Sequence, residues 1–320
     1  MAARSLTRPP KRGTASQRFI KAFKRDWQYY LLMLLPVAYI IIFAYVPILG
    51  LQIAFRKYTA AGGIWGSEWV GFDNFIKFFS SYQFERVVSN TVIISFYSLI
   101  VGTIFPVLFA LVINSIDSVR FRKTSQTIVN LPHFISTVVL VGMLMQVFNS
   151  RSGIFGVIYH SITGEYAKDI FGQLDSFRHM YVWSGVWQNF GWSSIIYIAA
   201  LTSIDPQLHE AAQIDGATRF QRMLNIDLPH IKPTVIILLT MGIGRIMSVG
   251  FEKAYLMQNS LNLKHSELIS TYVFRVGLSG MQKSDFSYAT AIDLFNAVIN
   301  LILVLGANWF SRKVTGSGLW

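Results

Sequence analysis

Long apolar stretches leave this chain few places to fold other than inside a lipid bilayer. A helix needs about 20 mainly apolar residues to cross the hydrocarbon core. Five stretches free of Lys, Arg, Asp and Glu approach or exceed that length: Tyr29–Phe55, Val87–Ile116, Thr124–Ser150, Tyr181–Ile204 and Leu294–Ser311, the last with an apolar lead-in from Phe286. A sixth, Thr234–Phe251, is apolar except for Arg245. Charged residues make up 14% of the chain, against roughly 25% in a soluble domain. The first stretch is too long for a cleaved signal sequence, and no small-residue cleavage site follows it. The sequence predicts an all-α integral membrane protein with six transmembrane helices.

The net charge of +12 would suit a nucleic-acid binder, but its placement suits a membrane. Arg4, Arg8, Lys11, Arg12, Arg18, Lys21, Lys24 and Arg25 all precede the first apolar stretch. Six crossings put both termini on one side. With the N-terminus inside, the inner segments hold 16 Lys and Arg and the outer loops 11, Arg245 standing apart. The excess of positive charge marks the cytoplasmic side. Three parts follow: a basic cytoplasmic tail over 1–28, a six-span domain over 29–311 and a cytoplasmic C-terminal tail over 312–320. The tail is expected to be disordered to about Ser16. Phe19, Phe23 and Trp27 then recur every four residues among Lys21, Lys24 and Arg25, as in a basic amphipathic helix on the inner leaflet. Outside, Val70–Arg86 reads as an interfacial helix carrying Phe72, Phe75 and Phe79. Pro36, Pro47, Pro106 and Pro132 predict kinks or irregular helix ends.

Between the fourth and fifth spans lies a polar insert, 205–233, punctuated by Gly and Pro. Asp205-Pro206 combines a capping side chain with proline at the first helical position. Leu208, Ala211 and Ala212 fall on one face of a helix reaching about Asp215, and Gly216 supplies the left-handed residue that ends it. Thr218 can cap a second helix whose apolar face holds Phe220, Met223, Leu224 and Ile226, with Pro229 and Pro233 expected to stop it before the next span. Small alanines allow another surface to approach closely, and Glu210 offers a charge to a basic partner.

The order Glu210-Ala211-Ala212, three residues, Gly216, nine residues, Ile226, one residue, Leu228-Pro229 fills every position of a known motif. On it the chain resembles the permease subunits of binding-protein-dependent ABC importers, in the carbohydrate group related to the maltose transporter. Asp215 and Ala217 belong to the sugar-type version of the motif; Met223 departs from the phenylalanine of many relatives and keeps the apolar contact. Trp65-Gly66-Ser67, Trp69-Val70-Gly71, Gly250-Phe251-Glu252-Lys253 and Leu268–Val273 resemble the branch that handles oligosaccharides and polysaccharide fragments, which includes the permease of alginate import. The resemblance covers nearly the whole chain.

The resemblance implies that Glu210–Gly216 is a cytoplasmic coupling helix docking into a cleft of a separate ATPase. It also implies a complex of two homologous permeases, two ATPases and an extracytoplasmic solute-binding protein, placed in the bacterial cytoplasmic (inner) membrane. This chain then has no enzymatic activity and no cofactor of its own, ATP and Mg belonging to the ATPase chains. The residues agree: no phosphate-cradling Gly-x-x-x-x-Gly-Lys-Ser/Thr loop occurs. Cysteine is absent, and His133, His160, His179, His209, His230 and His265 are scattered, so neither disulfides nor an evident metal site is expected.

A sugar path needs aromatic faces and amide or hydroxyl groups. Trp183, Trp187, Gln188, Asn189, Trp192 and Tyr197 in the fourth span, with Asn296 and Asn300 in the sixth, are candidates. Each also has a plainer reading, as an interfacial anchor or a link between helices. A charge in mid-membrane costs about 2.5–3.5 kcal/mol on insertion scales, so Arg245 and Asp293 are expected to face the protein interior or water. Two readings stand for them: a pair between the fifth and sixth spans, or Arg245 meeting an acidic sugar. Permeases for other solutes share the motif. An ion-coupled secondary transporter would show repeated halves with matching interrupted helices, and no internal repeat is visible.

Overall fold

The computed structural model describes residues 15–279 and 284–315. Residues 1–14 and 316–320 lie outside it, as do the side chains at Phe19, Lys21 and Phe23, so most of the two expected tails is not described. Two units separate, residues 1–52 and 53–320.

The first unit contains α1, Ala15–Ile40, continued by a π-turn over Ile41–Tyr45 and a 3-10 stretch over Val46–Phe55. Pro36 is accommodated inside α1. The π-turn falls just ahead of Pro47, where a widened turn relieves the clash of the proline ring with the carbonyl four residues back. Lys24–Phe55 is long and apolar enough to cross a membrane.

In the second unit, β1 (Arg56–Lys57) pairs antiparallel with β2 (Glu68–Trp69), and α2 (Gly63–Gly66) closes the ribbon. The interfacial helix expected over 70–86 is interrupted: α3 runs Asp73–Phe79, and a new helix, α4, starts at Tyr82 and continues to Asn114. Ser81 causes the break, its extended backbone starting α4 while its hydroxyl donates back to the Phe78 carbonyl at 2.7 Å.

The stretch expected as a third span is also two helices. α5 (Val119–Asn130) runs through a 3-10 turn, Leu131–Phe134, into α6 (Thr137–Val147), and the two halves meet at 97°. Pro132 begins the turn and Ser136 caps α6 by accepting from the Val139 amide. Pro106, by contrast, sits inside α4 without ending it. After α7 (Ile154–Thr163), α8 runs Leu174–Leu201.

α4 and α8 run parallel. Asn90 bonds Arg178, Trp183 bonds Tyr97, and Phe109 packs on Phe190, so contacts climb both helices together. Two parallel helices require the chain to return between them. α5 and α6 make that return, from Gly191 against Val129, through Gln188 bonded to the Ile135 carbonyl, to Val141 beside Phe177.

α9 (Pro206–Ile214), α10 (Arg219–Arg222), a π-turn over Met223–Asp227 and α11 (Leu228–Ile243) follow. The expected stop at Pro229 and Pro233 does not occur. Helix is continuous from Arg219 to Ile243 because the π-turn precedes Pro229, as in α1. Beyond Ile243 the chain leaves the helix, then forms α12 (Phe251–Met257), α13 (Leu263–Ser266), α14 (Ile269–Gly277) and α15 (Phe286–Thr315). The expected fifth span, 234–251, is therefore helical for only its first part.

Among the described residues, four helices are long and apolar enough to cross a membrane, or five with the bent pair α5–α6 counted as one. The expected fourth span falls in α8, which is long enough but carries Arg178, His179, Gln188 and Asn189. Three buried groups hold the unit. Phe177, Tyr181 and Val182 of α8 pack with Ala254 and Met257 of α12. Phe78 packs with Val87, Tyr272 and Ile292. Ala110 and Leu111 pack with Leu201 and Ile231.

Candidate functional site

Two sites lie at different depths of the second unit. The first begins where α11 breaks. Between Ile243 and Phe251 regular helix gives way to turns, with the Gly244, Arg245, Ile246 and Ser248 amides bonded locally and other backbone groups satisfied by residues from other helices. The Ser95 hydroxyl of α4 donates to the Ile246 carbonyl. Asn300 of α15 accepts from the Met247 amide at 3.0 Å and donates to Ser248 Oγ at 2.9 Å. Non-helical backbone at membrane depth is tolerated only where protein buries it or where it lines a water-filled cavity.

Such a cavity is present. α4, α8, the broken segment and α12 line a cavity of about 400 Å³. Ser95, Ser98, Gln188, Asn189 and Ser193 contribute polar groups, Tyr181 and Phe190 contribute rings, and Arg245 and Lys253 contribute charge. Lys253 is 9% exposed; its Nζ donates to the Tyr181 carbonyl at 2.7 Å and lies 4.8 Å from that residue's ring centroid. Gln188 Nε2 donates to the Ile135 carbonyl at 2.8 Å, and Asn189 Oδ1 lies 3.0 Å from His133 Nδ1.

Of the sequence candidates for a sugar path, the cavity gathers Gln188, Asn189 and Arg245. The others lie elsewhere. Trp183 donates to Tyr97 Oη at 2.8 Å, Trp192 stacks on His133 at 4.5 Å, and Trp187 is exposed. Tyr197 packs in the buried group with Leu201 and Ile231. Asn296 is buried with an unbonded Oδ1, and Asn300 braces the break. The expected pair between Arg245 and Asp293 is not formed: no ion pair joins them among the described residues, because the break turns Arg245 into the cavity while Asp293 stays on an exposed face of α15. Sequence reasoning missed Ser95, Ser98 and Ser193, which no periodicity singles out, and had Lys253 only within the Gly250–Lys253 resemblance, not as a site residue.

The second site is the helix–glycine–helix at the α4 and α8 C-terminal ends. Asp205 caps α9 by accepting from the Gln207 amide at 3.0 Å. Gly216, at φ +80°, reverses the chain, a conformation that costs a residue with a Cβ roughly 1–2 kcal/mol. Thr218 and Gln221 form a reciprocal capping box that starts α10. Glu210, Ala211, Asp215 and Gly216 are exposed, and Ala212 and Ala217 are half-buried. Leu208, Ile214 and Phe220 are exposed beside them, Ile214 at 87%. The expected apolar face of the second helix divides: Met223 and Ile226 pack against the α4–α8 core, whereas Phe220 and Leu224 do not. Leu228 and Pro229 begin α11 on the exposed side.

Beneath α9 is a polar pocket of about 450 Å³. Asp227, buried, pairs with His209 at 3.2 Å and accepts from Asn114 Nδ2 at 3.4 Å. Arg219 reaches Asp117 at 2.5 Å and the Ser115 carbonyl at 3.3 Å. These contacts tie α9 and α10 to the end of α4.

A third cluster, at the opposite end, fixes the segment after α12. Buried Glu267 pairs with Arg86 of α4 and Arg275 of α14, and Asn90 donates to the Lys264 and Glu267 carbonyls.

Residues 102–316 match the family described as binding-protein-dependent transport system inner membrane component. Two relatives in Bacillus subtilis (strain 168) are each 37% identical. One is protein LplB, aligned over 94% of both chains. The other is the polygalacturonan/rhamnogalacturonan transport system permease protein YteP, aligned over 97% of this chain and 95% of that one. A crystal structure of a bacterial alginate ABC transporter, in complex with an alginate pentasaccharide-bound periplasmic protein, contains a chain similar to this one. It is 40% identical with a TM-score of 0.85, over 94% of this chain and 100% of the other.

Proposed function

The chain belongs to this family of inner membrane transport components, and from that premise we propose that it is the permease subunit of an ATP-driven importer of oligosaccharides or polysaccharide fragments. In this reading the membrane is crossed six times, by α1, α4, the bent α5–α6, α8, α11 with its broken continuation, and α15. The parallel course of α4 and α8 supports counting both α8 and the bent pair. Both termini and the α9–α10 loop are cytoplasmic.

A solute-binding protein delivers the glycan outside. A second, homologous permease completes the path, and two ATPases supply the work. This chain hydrolyses nothing, and ATP with Mg resides in the ATPase chains. The observation that carries the proposal is the exposed surface of Glu210 and Ala211, with half-buried Ala212, beside Leu208 and Ile214. A carboxylate, small residues that permit close approach, and unpartnered apolar side chains together suit docking into a protein cleft. Asp215, Gly216 and Ala217 set the reversal behind that surface, while Ile226, Leu228 and Pro229 join it to α11. Substrate would meet Gln188, Asn189 and Arg245 in the cavity.

The experiment is co-purification of the ATPase with the chain from membranes, and ATP-driven uptake by the reconstituted complex. Glu210→Lys is expected to leave the chain folded in the membrane and to lower ATPase recovery or uptake about tenfold or more, the loss of a charged interface contact being worth about 2–5 kcal/mol. Uptake unchanged in Glu210→Lys, or proceeding without any ATPase, would refute the reading.

A further inference from the structure

We propose that the cavity at the α11 break is an anion site in which Arg245 and Lys253 receive the carboxylate groups of an acidic oligosaccharide. The proposal rests on the permease reading and adds the charge class of the cargo.

Three observations carry it. No Asp or Glu lines the cavity, and among the described residues neither Arg245 nor Lys253 has a carboxylate partner. Elsewhere the chain's structural cations have acceptors: Arg86 and Arg275 share buried Glu267, Lys77 pairs with Asp285 at 2.9 Å, Arg56 donates to the Trp65 and Ser67 carbonyls, and Arg178 donates to Asn90 Oδ1. Among the described residues Arg245 has no side-chain acceptor. Second, Lys253 is nine-tenths buried, yet its ammonium, which has three protons to donate, has one hydrogen-bond acceptor, the Tyr181 carbonyl. Arg245, freed by the break, presents the planar fork that matches a carboxylate with two parallel bonds. Third, the remaining lining suits a sugar. Ser98 Oγ is buried without a bonding partner, and Gln188, Asn189 and Ser193 lie around it with the Tyr181 and Phe190 rings. A neutral glycan would use the hydroxyls and amides and would draw nothing from a guanidinium and an amine that have no acid beside them.

The chain has no cysteine, which makes a direct test available. Ser193, exposed at the cavity wall, becomes a reporter as Ser193→Cys in the assembled complex. Two thiosulfonate reagents of similar size, one bearing a sulfonate and one a trimethylammonium, are compared, each rate normalised to a free thiol. The sulfonate reagent is expected to react about tenfold faster, the scale on which charged clefts concentrate counter-ions. Arg245→Met with Lys253→Met is expected to abolish the preference, and Arg245→Lys to retain it. A uronate oligosaccharide should slow labelling at about tenfold lower concentration than the same oligosaccharide with methyl-esterified carboxylates. Equal reagent rates, or protection indifferent to esterification, overturn the proposal. Failure of the permease reading shows separately, as absence of ATP-driven uptake in complexes whose reagent preference is intact.

Discussion

The pocket under α9 and the cavity at the α11 break are similar in size and opposite in chemistry. In the pocket two of the bases meet acids: His209 pairs with Asp227 and Arg219 with Asp117. In the cavity Arg245 and Lys253 face hydroxyls, amides and rings. A paired charge holds geometry, because its partner fixes where it sits. An unpaired charge in a low-dielectric wall is costly and points to something that arrives from outside. The first site is thus mechanical and the second receptive.

Three substitutions would break or sharpen that contrast, read as denaturation midpoints of the purified complex in mixed detergent. The largest effect belongs to the pocket. Asp227→Ala strands His209 and Asn114, and should cost about 2–3 kcal/mol, below the range for a fully buried pair because His209 is partly exposed. A loss under half that would mean the pair does not hold α9. Next comes Asn300→Ala, which removes two hydrogen bonds from the break and should cost about 1–2 kcal/mol. It should also blunt uptake, since the segment carrying Arg245 loosens. The smallest effect is expected of Arg245→Met. With no protein partner to strand, its stability should stay within about 0.5 kcal/mol of the parent. Marked destabilisation would make Arg245 structural and erase the distinction.

The pocket side was largely legible in the sequence, because its chemistry is local. Asp205-Pro206, Gly216 and the Thr218 cap each act over three or four residues, and the elements start and end where those signals stand; the return bond from Gln221 that completes the box came only with the structure. The continuation of helix through Pro229 and Pro233 was not legible: a π-turn is a backbone adjustment that no side-chain pattern announces. The cavity was less legible still. Gly242, Gly244 and Gly250 weaken a helix locally, but the groups that satisfy the break, Ser95 and Asn300, come from remote parts of the chain. The expected Arg245–Asp293 pair failed for the same reason. Opposite charges in neighbouring spans attract in a list of residues, but only helix rotation decides whether they meet. Pro132 lies in the turn where α5 and α6 meet at 97°, whereas Pro106 sits inside continuous α4.

The unbroken helix from Arg219 to Ile243 joins the two sites. Its 25 residues form a rod about 37 Å long at 1.5 Å per residue. A rod of that length acts as a lever arm: a swing of about five degrees at Phe220 carries the far tip, where the chain departs toward Arg245, through about 3 Å. That is enough to turn a guanidinium from one wall of a narrow chamber to another. Motion and affinity can therefore be geared to each other without any intervening part.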